Sequence, residues 1–258
     1  MDFLEEAMLR RTATLSLAGL AVLTADLSAQ SDRYEMPRAA VGINFLAAEP
    51  QGEFSEFVDA AYGGELMGRI PLDPRGLVSL RGDLGFLIYG YESKRVCIGG
   101  VGCRVEARLE TTNSIFFGGI GPELGLPLSW ARPYVHAFLG FGYFSTNSSL
   151  EDRWGGENYF DTQNFGDGTF SWGLGWGLEL NVHRGRIPVA INLAAKYHQN
   201  GVMEYLTEGD IVDHPDGSIS LFPNVSEANL VSYRIGVTVG IPRGEKDERD
   251  WRRDRHGW

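Results

Sequence analysis

The chain has 258 residues, 22% of them charged and 43% hydrophobic, a balance that excludes both a disordered polymer and a helical membrane protein. A formal net charge of −11 argues against a nucleic-acid binder, because phosphate recognition requires a basic footprint. The 34 glycines favour turns and close backbone approach over long helices, and the length suits one large all-β domain or two small ones.

The first element in chain order is an export signal. Arg10 and Arg11 precede the apolar run Leu15–Leu23, and a small-residue segment ends near Ala29. This is the n-, h- and c-region order of a secretory signal peptide, and the apolar run is too short to span a bilayer. Residues 1–30 are therefore expected to be removed, with Leu27 leaving the cut site open by a few residues; the acidic MDFLEEA ahead of Met8 makes Met8 an alternative start. Export places the two cysteines, Cys97 and Cys103 in VCIGGVGC, in an oxidising compartment. A loop disulfide is expected there, with two free thiols as the alternative.

Beyond Gln30 no stretch reaches the ~18 consecutive apolar residues of a transmembrane helix. Eight stretches instead alternate apolar and polar residues with period two, the signature of strands. They are Ala39–Ala48, Ala61–Leu72, Leu77–Tyr91, Glu110–Leu126, Arg132–Ser145, Thr169–Val182, Pro188–His198 and Ala228–Ile241. Most match or exceed the 9–11 residues that a tilted strand needs to cross a bilayer. The connections alternate strictly. Leu72–Gly76, Pro127–Pro133 and His183–Ile187 are short, whereas Glu49–Ala60, Glu92–Leu109, Asn147–Gly168 and Gln199–Glu227 are long. Tight turns on one rim and larger loops on the other are the habit of an up-and-down barrel in an outer membrane.

The two faces of each strand set its orientation. Val78, Leu80, Leu84, Phe86 and Ile88 share one face, opposite Ser79, Arg81, Asp83 and Gly85. Val231, Tyr233, Ile235, Val237, Val239 and Ile241 likewise oppose Ser232, Arg234, Gly236, Thr238 and Gly240. Packing the apolar set inward would overfill a small barrel and leave an exterior nearly free of Lys and Glu, so the apolar face is assigned to lipid. The lumen set is then Glu65, Arg69, Arg81, Asp83, Glu123, His136, Glu179, Lys196, His198 and Arg234, four acids and four bases besides two histidines. Near-equal numbers of buried charges predict a paired ionic network rather than an aqueous pore. Tyr62, Tyr143, Phe170, Trp172, Tyr197 and Tyr233 lie next to the long loops, where an interfacial aromatic girdle belongs. Residues 243–258, dense in both signs of charge, are expected to form a periplasmic tail behind a barrel spanning 31–242.

On these strands and loops the chain resembles the small eight-stranded outer-membrane β-barrels, the OmpA-like and OmpX-like class, over about Ala39–Ile241. The resemblance implies insertion into the outer membrane of a diderm bacterium by the barrel-assembly machinery, with lipid and lipopolysaccharide as surroundings. One departure stands out. Many such barrels end in an aromatic residue on the last strand, whereas this strand ends at Ile241–Pro242 and Trp258 lies beyond a hydrophilic tail.

Enzymatic chemistry is weighed at AKYHQNG, Ala195–Gly201. Outer-membrane lipid A deacylases place a His and a Ser two residues apart on a barrel strand, within hydrogen-bond reach of each other. Here Gln199 and Asn200 follow His198, which also falls on the lumen parity. GFGY and GLGWGLEL precede no helix and so are not phosphate loops. DIVDHPDGS lacks the D-x-D-x-D-G spacing of a calcium loop. Loop Gln199–Glu227 carries Glu204, Glu208, Asp210, Asp213, Asp216 and Glu227 with no Lys or Arg, and Asn147–Gly168 is also rich in acids. The reading is an all-β, eight-stranded antiparallel up-and-down transmembrane β-barrel, monomeric, without cofactor, metal or catalytic residues, acting structurally or through its acidic extracellular loops. A narrow channel or transporter is the first alternative, and a soluble periplasmic lipocalin-like ligand-binding barrel the second.

Overall fold

The computed structural model describes residues 37–98, 105–152, 158–214 and 218–243. Eight strands close one barrel: β1 Ala39–Pro50, β2 Ala61–Pro71, β3 Val78–Ile98, β4 Val105–Gly125, β5 Ala131–Asp152, β6 Asn158–His183, β7 Val189–Asn200 and, last in the chain, β12 Leu230–Ile241. Each pairs antiparallel with its chain neighbour, and β1 pairs with β12 to complete the ring, which removes every sheet edge from the wall. Between β7 and β12 lie two small two-stranded sheets, β8 Val202–Tyr205 with β11 Asn224–Glu227 and β9 Ile211–Asp213 with β10 Ile219–Leu221. A short 3-10 turn, Gly52–Glu56, fills the first long connection.

The wall strands β1, β2, β7 and β12 hold 11 or 12 residues, matched to a tilted crossing of a bilayer. Their side chains alternate as the pleat demands: Val41, Ile43 and Phe45 point outward and exposed, while Ala40, Asn44 and Leu46 point inward and buried. The short turns are built by local chemistry. In LDPRG both carboxylate oxygens of Asp73 accept backbone N–H bonds, from Arg75 at 2.9 Å and Val78 at 2.6 Å. Gly76 closes the turn at φ 67°, in the left-handed region that a residue without Cβ reaches freely.

Strands β3 to β6 are much longer, 21, 21, 22 and 26 residues. Two segments expected as loops, Glu92–Leu109 and Asn147–Gly168, are largely strand, and this corrects the sequence reading. Pairing of β3 with β4 runs on to Ile98↔Val105, and that of β4 with β5 to Ala107↔Asp152. Beyond the bilayer no lipid lies against the outer face, so apolar–polar alternation is not imposed even though the hydrogen-bond ladder continues. On the wall, β2 stops pairing with β3 at Tyr62↔Ile88, and β7 stops pairing with β6 at Ser171↔Asn200. Above those points β3, β4, β5 and β6 form a four-stranded sheet standing off the rim. A register shift between Ile88 and Gly90 marks where β3 leaves the barrel.

The expected signal peptide, the tail beyond Arg243, and the Cys97–Cys103 disulfide fall outside the described residues.

Candidate functional site

The structure places all ten lumen residues named above inside the barrel and buried. Cross-strand register brings them into one network. Glu123 lies among three guanidiniums, with Nη1 of Arg132 at 2.7 Å, of Arg81 at 3.0 Å and of Arg69 at 3.3 Å. Arg69 Nη1 also donates to both oxygens of Glu179 at 2.8 Å. Asp83 accepts from Arg81 Nε at 2.8 Å and from Lys196 Nζ at 3.2 Å, which ties β7 to β3 across the lumen. Glu65 accepts from Arg234 Nη1 at 2.8 Å and Asn44 Nδ2 at 3.2 Å, so β12 is joined to β2 over the top of β1. His136 sits between them, 3.8 Å from Asp83 and 3.5 Å from Arg234 Nη2.

Isolated charges in such an interior cost several kcal/mol each, and the network offsets that cost only because nearly every charge meets an opposite one. Polar and aromatic groups complete it. Tyr134 donates to Asn192 at 2.8 Å, and Asn192 to Asn44 at 2.9 Å. The Lys196 ammonium, fully buried, lies 3.9 Å from the centre of the Phe138 ring, close enough for a cation–π contact. Glycines on β6 give these groups room. A Cβ on Gly175 would strike the His136 ring, and one on Gly177 would strike Tyr134.

Sequence reasoning missed one charged member. Arg132, buried and bonded to Glu123, stands where the expected strand Arg132–Ser145 overlaps the connection Pro127–Pro133, and it shares the even parity of His136 on β5. With it the described lumen holds four carboxylates and five basic side chains besides the histidines. His198 Nε2 lies 3.0 Å from Ser232 Oγ, a hydroxyl contributed by the neighbouring strand rather than by its own. Both are buried, with Phe117 and Phe138 edge-on to the imidazole, so this pair faces the packed lumen and not lipid.

Toward the long loops the lumen changes character. Leu46, Leu87, Ile115 and Phe144 point inward from the wall, and Phe54 of the 3-10 turn, Met203 and Tyr205 close over them in one buried apolar cluster. The Phe54 ring meets those of Tyr205 at 5.0 Å, Phe144 at 5.8 Å and Tyr89 at 5.9 Å, all edge-to-face. Polar tips within this cap are bonded: Tyr89 donates to the Leu206 carbonyl at 3.1 Å, and Tyr205 shares a 2.8 Å hydrogen bond with Ser226. Burial raises the Tyr205 phenol above its ordinary pKa.

Outside, Tyr62, Tyr143, Phe170, Trp172 and Tyr233 are exposed on the wall, and Tyr197 is partly so. Tyr62 and Tyr233 flank Ala47 in register, at the loop end of their strands. Trp130 is exposed beside a short turn at the opposite end. Between them runs an apolar band that includes Ile43, Leu66, Leu84, Ile120, Leu139 and Ile235.

No family model and no curated relative matches the chain. Several solved structures are similar to it. Ail, the attachment invasion locus protein of Yersinia pestis, aligns at 11% identity over 80% of this chain and 99% of its own, with a TM-score of 0.44. Neisserial surface protein A aligns at 11% identity over 79% and 97%, with a TM-score of 0.39. A major outer membrane protein of Thermus thermophilus aligns at 13% over 78% and 98%, with a TM-score of 0.35.

The membrane assignment rests on the chain's own geometry. A closed ring whose exterior is aliphatic and aromatic and whose interior is charged satisfies the backbone internally and presents hydrocarbon to hydrocarbon. This chain is an eight-stranded outer-membrane β-barrel. The soluble lipocalin-like alternative requires the polar face outward and is excluded by the same arrangement.

Proposed function

We propose that the barrel is a non-catalytic, monomeric anchor that displays its long-loop end outside the cell for interaction, among lipopolysaccharide and after insertion by the barrel-assembly machinery. The observation that carries this reading is the length of β3 to β6, about half of which stands beyond the wall as an ordered four-stranded sheet. Ordering that many residues outside the membrane costs about 1–2 kcal/mol of backbone entropy each, and nothing in barrel closure requires it. From Gly90 to Ile98 the outer side of β3 has no strand beside it among the described residues, so backbone donors and acceptors face outward there.

The packed lumen supports the same reading over a channel. Charge pairs fill its middle and an apolar cap covers its loop end. Protease shaving of intact cells tests the display: cleavage within Gln199–Glu227, with the wall strands protected, is expected. Planar-bilayer recording of the purified protein tests the closure, and sustained single-channel conductance would overturn it in favour of a narrow channel.

A further inference from the structure

The loop between β7 and β12 carries a face that neither the barrel nor the lipid belt uses. Sheet β8/β11 turns Met203, Tyr205 and Ser226 inward onto the apolar cap, where all three are buried. Its other face holds Val202 and Val225, 66% and 60% exposed, and register sets each across from a carboxylate, Val202↔Glu227 and Val225↔Glu204. Phe222, 60% exposed, precedes β11. Apolar and acidic side chains thus alternate on one small surface.

That surface is held in shape. Asp210 Oδ2 accepts from Thr207 N at 2.7 Å, Thr207 Oγ1 at 2.8 Å and Asn224 Nδ2 at 2.6 Å, which clasps the two sides of the loop. The Glu204 N–H donates to Asp167 on β6 at 2.9 Å and fixes the sheet against the tall hairpin. No Lys or Arg occurs in residues 199–229 or in residues 49–60, the neighbouring loop that adds exposed Glu53 and Glu56. The carboxylates therefore have no cation of their own nearby in sequence. Lipid is a poor occupant, since its phosphates repel carboxylates. Glu227 accepts only from the neutral amides of Gln199 at 3.4 Å and Asn229 at 3.1 Å among its described hydrogen bonds. Exposed valines and a phenylalanine beside these acids fit a ligand that is apolar and positively charged at once.

We infer that this face docks a cationic, apolar-faced peptide segment of another protein, with Lys or Arg against Glu204 and Glu227 and aliphatic side chains against Val202, Val225 and Phe222. The inference rests on the display reading above and names its partner class.

The test uses the full chain in nanodiscs of zwitterionic lipid, with empty nanodiscs as control and a labelled amphipathic leucine–lysine peptide as probe. Binding is expected to weaken about tenfold in Glu204→Lys/Glu227→Lys and about tenfold in Val202→Ser/Val225→Ser. Oligolysine should bind weakly and ignore the valine change. Heat-modifiable gel migration reports that each variant still forms its barrel. Equal binding by wild type and both variants overturns the inference. So does self-association of the wild type that the same substitutions abolish, or retention only of phosphate lipid with added calcium. If shaving of cells cuts this loop but the peptide does not bind, the partner class alone fails. If the loop is not reached in intact cells, the display reading fails first.

Discussion

The middle of the lumen and its loop end are both buried, yet they are built from opposite materials. The middle holds Glu65, Arg81, Asp83, Glu123, Lys196 and Arg234 in mutual contact, while the loop end holds Leu46, Leu87, Ile115, Phe54, Phe144 and Tyr205. The ionic zone is contributed entirely by wall strands, whose register fixes every partner. The apolar zone is shared between wall and loops, and its closure depends on Phe54 and Tyr205 arriving from connections that are distant in sequence. Charge needs defined geometry and so sits where the backbone is fixed by a ladder. Apolar contact is non-directional and tolerates pieces supplied by loops.

That contrast sets an order of expected effects. Glu123→Gln removes the charge shared by three buried guanidiniums: Arg69 keeps Glu179 and Arg81 keeps Asp83, but Arg132 loses its 2.7 Å partner. The change should cost about 3–5 kcal/mol in denaturant unfolding from lipid vesicles, because a buried charge left without its partner is far worse than a pair removed. A loss below about 1 kcal/mol would mean that water reaches the network and screens it. Leu87→Ala, on the same strand as Arg81 but in the apolar zone, should cost about 2–4 kcal/mol by the loss of contact and the cavity left behind. Phe54→Ala should leave the wall's unfolding transition nearly in place while making loops 49–60 and 199–229 susceptible to limited proteolysis, since its partners there belong to the cap. A matching fall in wall stability would show the two zones to be one cooperative unit. Tyr205→Phe removes only the bond to Ser226 and should cost about 0.5–1.5 kcal/mol. The double change Phe54→Ala/Tyr205→Ala sharpens the comparison further: no conductance is expected, because the ionic layer beneath still fills the bore.

Legibility in the sequence followed the same divide. The eight wall strands were readable because lipid on one side and charge on the other force a period of two, as in Arg81, Asp83 and their neighbours Leu80 and Leu84. The ten lumen residues were found by that parity alone. The apolar cap was not found because alternation vanishes where both faces are apolar. Phe45–Leu46–Ala47–Ala48, Phe86–Leu87–Ile88–Tyr89 and Ile115–Phe116–Phe117 are unbroken apolar runs near the loop ends of their strands. Such a run in an otherwise alternating strand is the signal that would have located it. The tall hairpins were missed for the converse reason: from Glu92 to Arg95, and again from Thr111 to Ser114, polar residues occupy both faces. Arg132 escaped the lumen set because it stands at the edge of its strand, where strand and connection overlap in the sequence.

The seam between β1 and β12 matches Ala39 to Pro50 one for one with Ile241 to Leu230 and is as regular as any other junction in the wall. A ring with no privileged joint has no privileged place to be cut. Joining residues near Ala39 and Ile241 by a short linker and opening the chain at Asp73–Gly76 would reorder the strands in sequence without reordering them in space. The circularly permuted chain should then reach the same barrel from a different first hairpin.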